Sequence, residues 1–92
     1  MKEQKDRYEI FLKVCETGSF SKAAEALNYT QSGISHAINS LENELGVQLF
    51  VRRRSGVTLT PAGQALARYA PRYIRKYEMI VSNVRKLSLI HI

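Results

Sequence analysis

A chain of 92 residues with 45% hydrophobic and 24% charged side chains has the size and mix of one small folded domain with at most a helical extension, and it is too short to enclose the deep pocket of a large enzyme. The net charge is +6, unevenly placed: five basic and seven acidic residues lie in the stretch ending at Phe50, nine basic residues and Glu78 alone as acid in the rest. A basic second half points to a polyanionic partner, nucleic acid or an anionic membrane surface, and charge does not choose between them. No run approaches the roughly 20 apolar residues of a membrane span. The polar opening, Met1 to Arg7, leads into no signal-type apolar core, and the single Cys15 cannot form an internal disulfide, so a cytoplasmic location is expected.

The first predicted helix covers about Asp6 to Glu16, where Tyr8, Phe11, Leu12 and Cys15 make one apolar stripe. Gly18 is its stop, and Ser19 or Ser21 caps a short second helix, Phe20 to Leu27, whose Ala23, Ala24 and Ala26 let another helix approach closely. Asn28-Tyr29 breaks the chain and Thr30 caps a third helix. Ile34, Ala37, Ile38, Leu41 and Leu45 form its inner face. Gln31, Ser32, Ser35, His36, Asn39 and Asn43 form the outer one. That outer stripe is polar without charge, and the acids Glu42 and Glu44 wait until the last turns. An ordinary solvated face carries Lys and Glu, whereas a helix entering a major groove needs donors and acceptors at its N-terminal end and no carboxylates there.

Gly46 closes this helix. Two β-like runs follow, Val47 to Arg52 and Gly56 to Thr60, turning at Arg53-Arg54-Ser55-Gly56. A hairpin after a helix–turn–helix reads as a wing, tipped here with Arg52, Arg53 and Arg54. Alternation of faces along a strand keeps all three from serving one surface, and Arg54 is left out of the candidate site. Thr60-Pro61 reads as cap and first helical residue. From there Leu66, Ala70, Tyr73, Tyr77, Ile80, Val84 and Leu87 recur in steps of four and three, a heptad-type seam. A domain this small cannot cover it all. The seam asks for a partner helix, most simply a second copy. Pro71 removes one backbone donor within the pattern, so a kink or a break is expected there. The expected class is thus mainly α: a winged helix–turn–helix of three helices and a two-stranded wing over 1–60, then a long dimerisation helix and tail over 61–92.

These residues resemble a known family. Tyr8-x-x-Phe11-x-x-Val14-x-x-x-Gly18-Ser19-Phe20 and Ala23-Ala24-x-x-Leu27 are similar to the opening of LysR-type transcriptional regulators. Thr30-Gln31-Ser32-x-Ile34-Ser35-x-x-Ile38-x-x-Leu41-Glu42-x-x-Leu45-Gly46, Leu49-Phe50-x-Arg52 and Leu59-Thr60-Pro61-Ala62-Gly63 continue the match. The resemblance implies a bacterial regulator that reads double-stranded DNA with its third helix and pairs as a homodimer through the long one. It places DNA contacts at Thr30, Gln31, Ser32, Ser35 and His36, with Arg52 and Arg53 on the wing; Asn39 joins them from the outer stripe. Gly33 stands where the family more often has alanine, and His36 where it often has arginine. The family continues into a longer effector-binding domain, so a chain stopping at Ile92 reads as the DNA-binding fragment or a natural short form, with a small-molecule inducer only for a longer parent.

Other classes fare less well. Cys15, His36 and His91 are scattered without metal-type or nucleophile–base spacing, so neither catalysis, a metal nor a cofactor is expected. A protein-interaction module, with the winged part as scaffold and the long helix bound to another helix, is the main competitor. Attachment to anionic lipid is weaker, because the seam is a narrow stripe rather than a broad apolar face.

Overall fold

The computed structural model describes residues 2–90, with side-chain environments over 3–88; His91 and the end of the 61–92 segment lie outside the described residues. Four helices and one hairpin follow in the order α1 (Lys2–Thr17), α2 (Phe20–Leu27), α3 (Gln31–Leu45), β1 (Phe50–Arg53), β2 (Gly56–Leu59) and α4 (Pro61–Ile90).

The core forms where the apolar stripes of the first three helices meet. Phe11 and Val14 of α1, Ala23 and Ala24 of α2, and Ile34, Ala37, Ile38 and Leu41 of α3 are buried together, and Leu49 and Phe50 close one end. Phe50 touches the rings of Phe11 at 5.3 Å and Phe20 at 5.9 Å, tilted and edge-on respectively. Each such pair is worth about 0.5–1.5 kcal/mol beyond its buried area. The expected stripe of α1 is corrected in detail: Ile10 and Val14 are buried with Phe11, while Tyr8, Leu12 and Cys15 pack at the margin. Burial pushes the Cys15 thiol up to about 11, away from the reactive thiolate.

Caps set the helix ends. The Ser19 hydroxyl accepts from the Lys22 N–H to start α2, and Asn28, left-handed at φ 58°, ends it. Asparagine tolerates that region better than most residues. Thr30 starts α3 and Gly46, at φ 71°, ends it. Only Asn28, Tyr29 and Thr30 separate α2 from α3, the short turn of a helix–turn–helix. Leu45, expected inside, is 41% exposed because the last turn of α3 runs past the core.

The hairpin pairs Phe50 with Leu59, Val51 with Thr58, Arg52 with Val57 and Arg53 with Gly56. β1 begins three residues later than the pattern predicted. Val47 and Leu49 direct their N–H groups to Glu42 instead, to its backbone carbonyl at 3.2 Å and its carboxylate at 2.8 Å, so the segment belongs to the end of α3 rather than to a ladder. The other strand is tied back: Val57 N–H donates to the Gly18 carbonyl at 3.0 Å, fixing the wing against the α1–α2 turn. Gly56 at φ 136° makes this approach possible, since a Cβ there would strike the same carbonyl oxygen.

α4 is continuous, so the break considered at Pro71 does not occur. Packing on both sides of the proline accounts for this. Ala70 is wholly buried, and the Tyr73 ring meets Tyr8 of α1 edge-on at 5.0 Å. Loss of one backbone hydrogen bond does not outweigh those contacts.

Candidate nucleic-acid interface

The face built by α2, α3 and the wing gathers the candidate residues. Gln31, Ser32, His36 and Asn39 are exposed and Ser35 is half-buried, while Ile34, Ala37 and Ile38 on the opposite side of α3 are in the core. The short polar side chains therefore point away from the protein. Thr30 is exposed, but its hydroxyl is already engaged as the α3 cap, accepting from the Gly33 N–H at 3.0 Å. Replacing Thr30 with alanine should cost about 1 kcal/mol, lowering the melting temperature by about 4–8 °C, and serine should retain most of it. Thermal melts at one fixed protein concentration check this; an unchanged alanine variant would remove the cap from the account.

Arg52, Arg53 and Arg54 are all exposed. With Gln31 and Ser35 they line one surface cleft, completed by Ser19, Phe20 and Ser21 from the start of α2. Alternation along β1 therefore does not take Arg54 out of the cleft, where strand-face reasoning had separated it. Every salt bridge among the described residues lies elsewhere: Lys5 with Glu9 and Glu78, Arg7 with Glu44, Lys13 with Glu16. The wing arginines have no acidic partner, whereas Glu9, Glu16, Glu44 and Glu78 are each paired with a basic side chain away from the wing. Arg72, on α4, lies over the Tyr69 ring at 5.7 Å.

Two side chains of this face escaped sequence reasoning. Phe20 is both a core residue and a platform: the Arg52 guanidinium carbon sits 4.5 Å over its ring. Glu42 holds the entry to the wing through the Leu49 N–H. The first contact joins residues 32 positions apart and the second crosses the turn after α3, and neither follows from a helix or strand period.

The seven seam residues of α4 separate into two groups. Ala70 is buried inside its own subunit, and Leu66 and Tyr73 are half-covered, packed on the core and on Tyr8. The seam pattern gives these to a partner; the chain's own fold covers them instead. Tyr77 is half-buried, and Ile80, Val84 and Leu87 are 39%, 60% and 58% exposed.

Three helices, a three-residue turn and a two-stranded wing define a winged helix–turn–helix with a long C-terminal helix. Residues 6–64 match the family model described as bacterial regulatory helix-turn-helix protein, lysR family. The HTH-type transcriptional regulator YvbU of Bacillus subtilis is 43% identical over 90 residues, covering 91% of this chain and 31% of that protein. HdfR of Yersinia pestis is 43% identical over 76 residues, covering 83% and 26%. Among solved structures, the CbnR DNA-binding domain in complex with DNA superposes with a TM-score of 0.85 at 30% identity, over 91% of this chain and 97% of that one. DarR of Vibrio fischeri, also in complex with DNA, gives 0.88 at 31% identity, over 94% and 30%. The chain belongs to the LysR family of bacterial regulatory helix-turn-helix proteins. It spans about a quarter to a third of the length of the regulators it matches. No helix among the described residues is long and apolar enough to cross a membrane.

Proposed function

We propose that this chain is the sequence-specific DNA-binding part of a cytoplasmic transcriptional regulator, not an enzyme, and that it acts as a homodimer on double-stranded DNA. The observation that carries the reading is the outward, uncharged polar stripe Gln31–Ser35–Asn39 standing beside three arginines with no acidic partner. Side chains of the first kind distinguish bases by paired donors and acceptors, and those of the second neutralise phosphates and set the register. The similar solved structures in complex with DNA support the same assignment. In this scheme α3 enters the major groove, Gln31, Ser32, Ser35 and His36 face base edges, and Arg53 and Arg54 meet the backbone or minor groove. Two copies joined through the exposed half of α4 place their recognition helices about one helical turn apart, on a partly palindromic site.

Fluorescence anisotropy with a random duplex at 50 and 200 mM salt tests it. Binding should weaken by at least tenfold between the two, because each neutralised phosphate adds about 0.9 to the logarithmic slope. An interaction module whose winged part is mere scaffold binds neither; absence of salt-sensitive binding rejects the proposal.

A further inference from the structure

We infer that Arg52 and Asn39 form a single donor-only reading unit, with Arg52 as the positioning residue and Asn39 as the reader, selecting guanine and rejecting adenine at one base pair of each half-site. The inference rests on the DNA-binding reading and adds a base identity to it.

Arg52 is not a free wing charge. Its guanidinium lies 4.5 Å over the Phe20 ring, and Phe20 is itself fixed, 8% exposed and edge-on to Phe50. From that platform one terminal N–H donates to Asn39 Oδ1 at 3.5 Å, joining the wing to the third member of the outer stripe of α3. A guanidinium has donors only, so the amide atom turned towards it must be the carbonyl oxygen, and the amide NH2 of Asn39 must turn away. Glu42, the carboxylate nearest in sequence and a neighbour of Asn39 and Arg52 in one surface cleft, accepts from the Leu49 N–H at 2.8 Å. Its hydrogen bond is directed into the chain rather than at Arg52.

The consequence is a change of reading code. Asparagine ordinarily reads adenine by accepting from N6 with Oδ1 while donating to N7. Oδ1 keeps a second lone pair, but an adenine N6 amino group reaching for it would meet the guanidinium N–H groups of Arg52, donor against donor. What Asn39 turns outward is its NH2, two N–H donors, with its acceptor side taken up beside the Arg52 guanidinium. Guanine offers two adjacent acceptors, N7 and O6, on its major-groove edge; adenine offers one and sets an amino group against the donors.

Selection of binding sites from a random duplex pool tests this on the whole chain, in parallel for the wild type, Asn39→Ala and Arg52→Ala. The base pair whose preference vanishes in Asn39→Ala identifies the position read. There the wild type should favour guanine over adenine by about tenfold, and Arg52→Ala, which frees Oδ1, should turn the preference to adenine. Asn39→Asp keeps an acceptor for Arg52 but removes the amide donors, so it should melt like the wild type and lose the guanine preference. A wild type that selects adenine at that pair, an Arg52→Ala variant with unchanged preference, or a guanine preference surviving in Asn39→Asp each overturns the unit. If the wild type shows neither enrichment nor salt-sensitive binding, the DNA-binding reading falls, and this inference with it.

Discussion

Replacing Gly63 with alanine should destabilise the chain by about 2–3 kcal/mol and lower its melting temperature by about 10–20 °C, although alanine is the better helix former. Gly63 is buried in the first turn of α4. A Cβ there would collide with the Leu49 carbonyl oxygen and crowd the Leu59 side chain. That carbonyl cannot move freely, because it already accepts from the Thr60 N–H at 3.0 Å, while the Thr60 hydroxyl donates to the Gln48 carbonyl at 2.6 Å and accepts from the Gly63 N–H at 3.0 Å. These bonds latch the start of α4 to the segment entering the wing, and Leu49 is itself in the core. Relief requires shifting α4 or that segment, at a cost above the roughly 1 kcal/mol gained in helix propensity. Gln64→Ala, one residue along on the exposed side, should melt within about 2 °C of the wild type. If Gly63→Ala does the same, the close approach of α4 to Leu49 is wrong.

The features read most securely from the sequence are those whose cause is local. Thr30 and Gly46 announce the ends of α3, and Ile34, Ala37, Ile38 and Leu41 announce its buried side, because cap chemistry and the 3.6-residue period act within a few residues of each other. The outward polar stripe follows from the same period. What periodicity misplaced depended on side-chain contacts that no period encodes. β1 starts late because Glu42 captures the Leu49 N–H. Pro71 does not end its helix because Tyr8, sixty-odd residues earlier in the chain, packs on Tyr73. From sequence Arg52 reads as a wing charge on a par with Arg53; only the fold brings Phe20 beneath it and Asn39 beside it.

The largest functional loss is expected from Val84→Glu. In the seam of α4, Leu66, Ala70 and Tyr73 already pack within the subunit, which leaves Tyr77, Ile80, Val84 and Leu87 as the part available to a second copy. Val84 is 60% exposed, so a glutamate there removes little from its own subunit's core. In a pair of identical helices the substitution appears on both subunits and sets charge within an apolar interface. Sedimentation should show a monomer at concentrations where the wild type is a dimer. Binding to a duplex carrying two half-sites should fall by about 10²–10⁴, the gain that linking two weak sites provides, while binding to a single half-site should change little. Ser82→Glu, at an exposed position outside the seam, controls for added negative charge and should leave the dimer intact. Ala70→Leu makes the opposite case: its extra volume enters a fully buried position, so it should lower the melting temperature of the subunit. A Val84→Glu variant that stays dimeric and binds the two-half-site duplex at full strength would mean that some other surface joins the subunits.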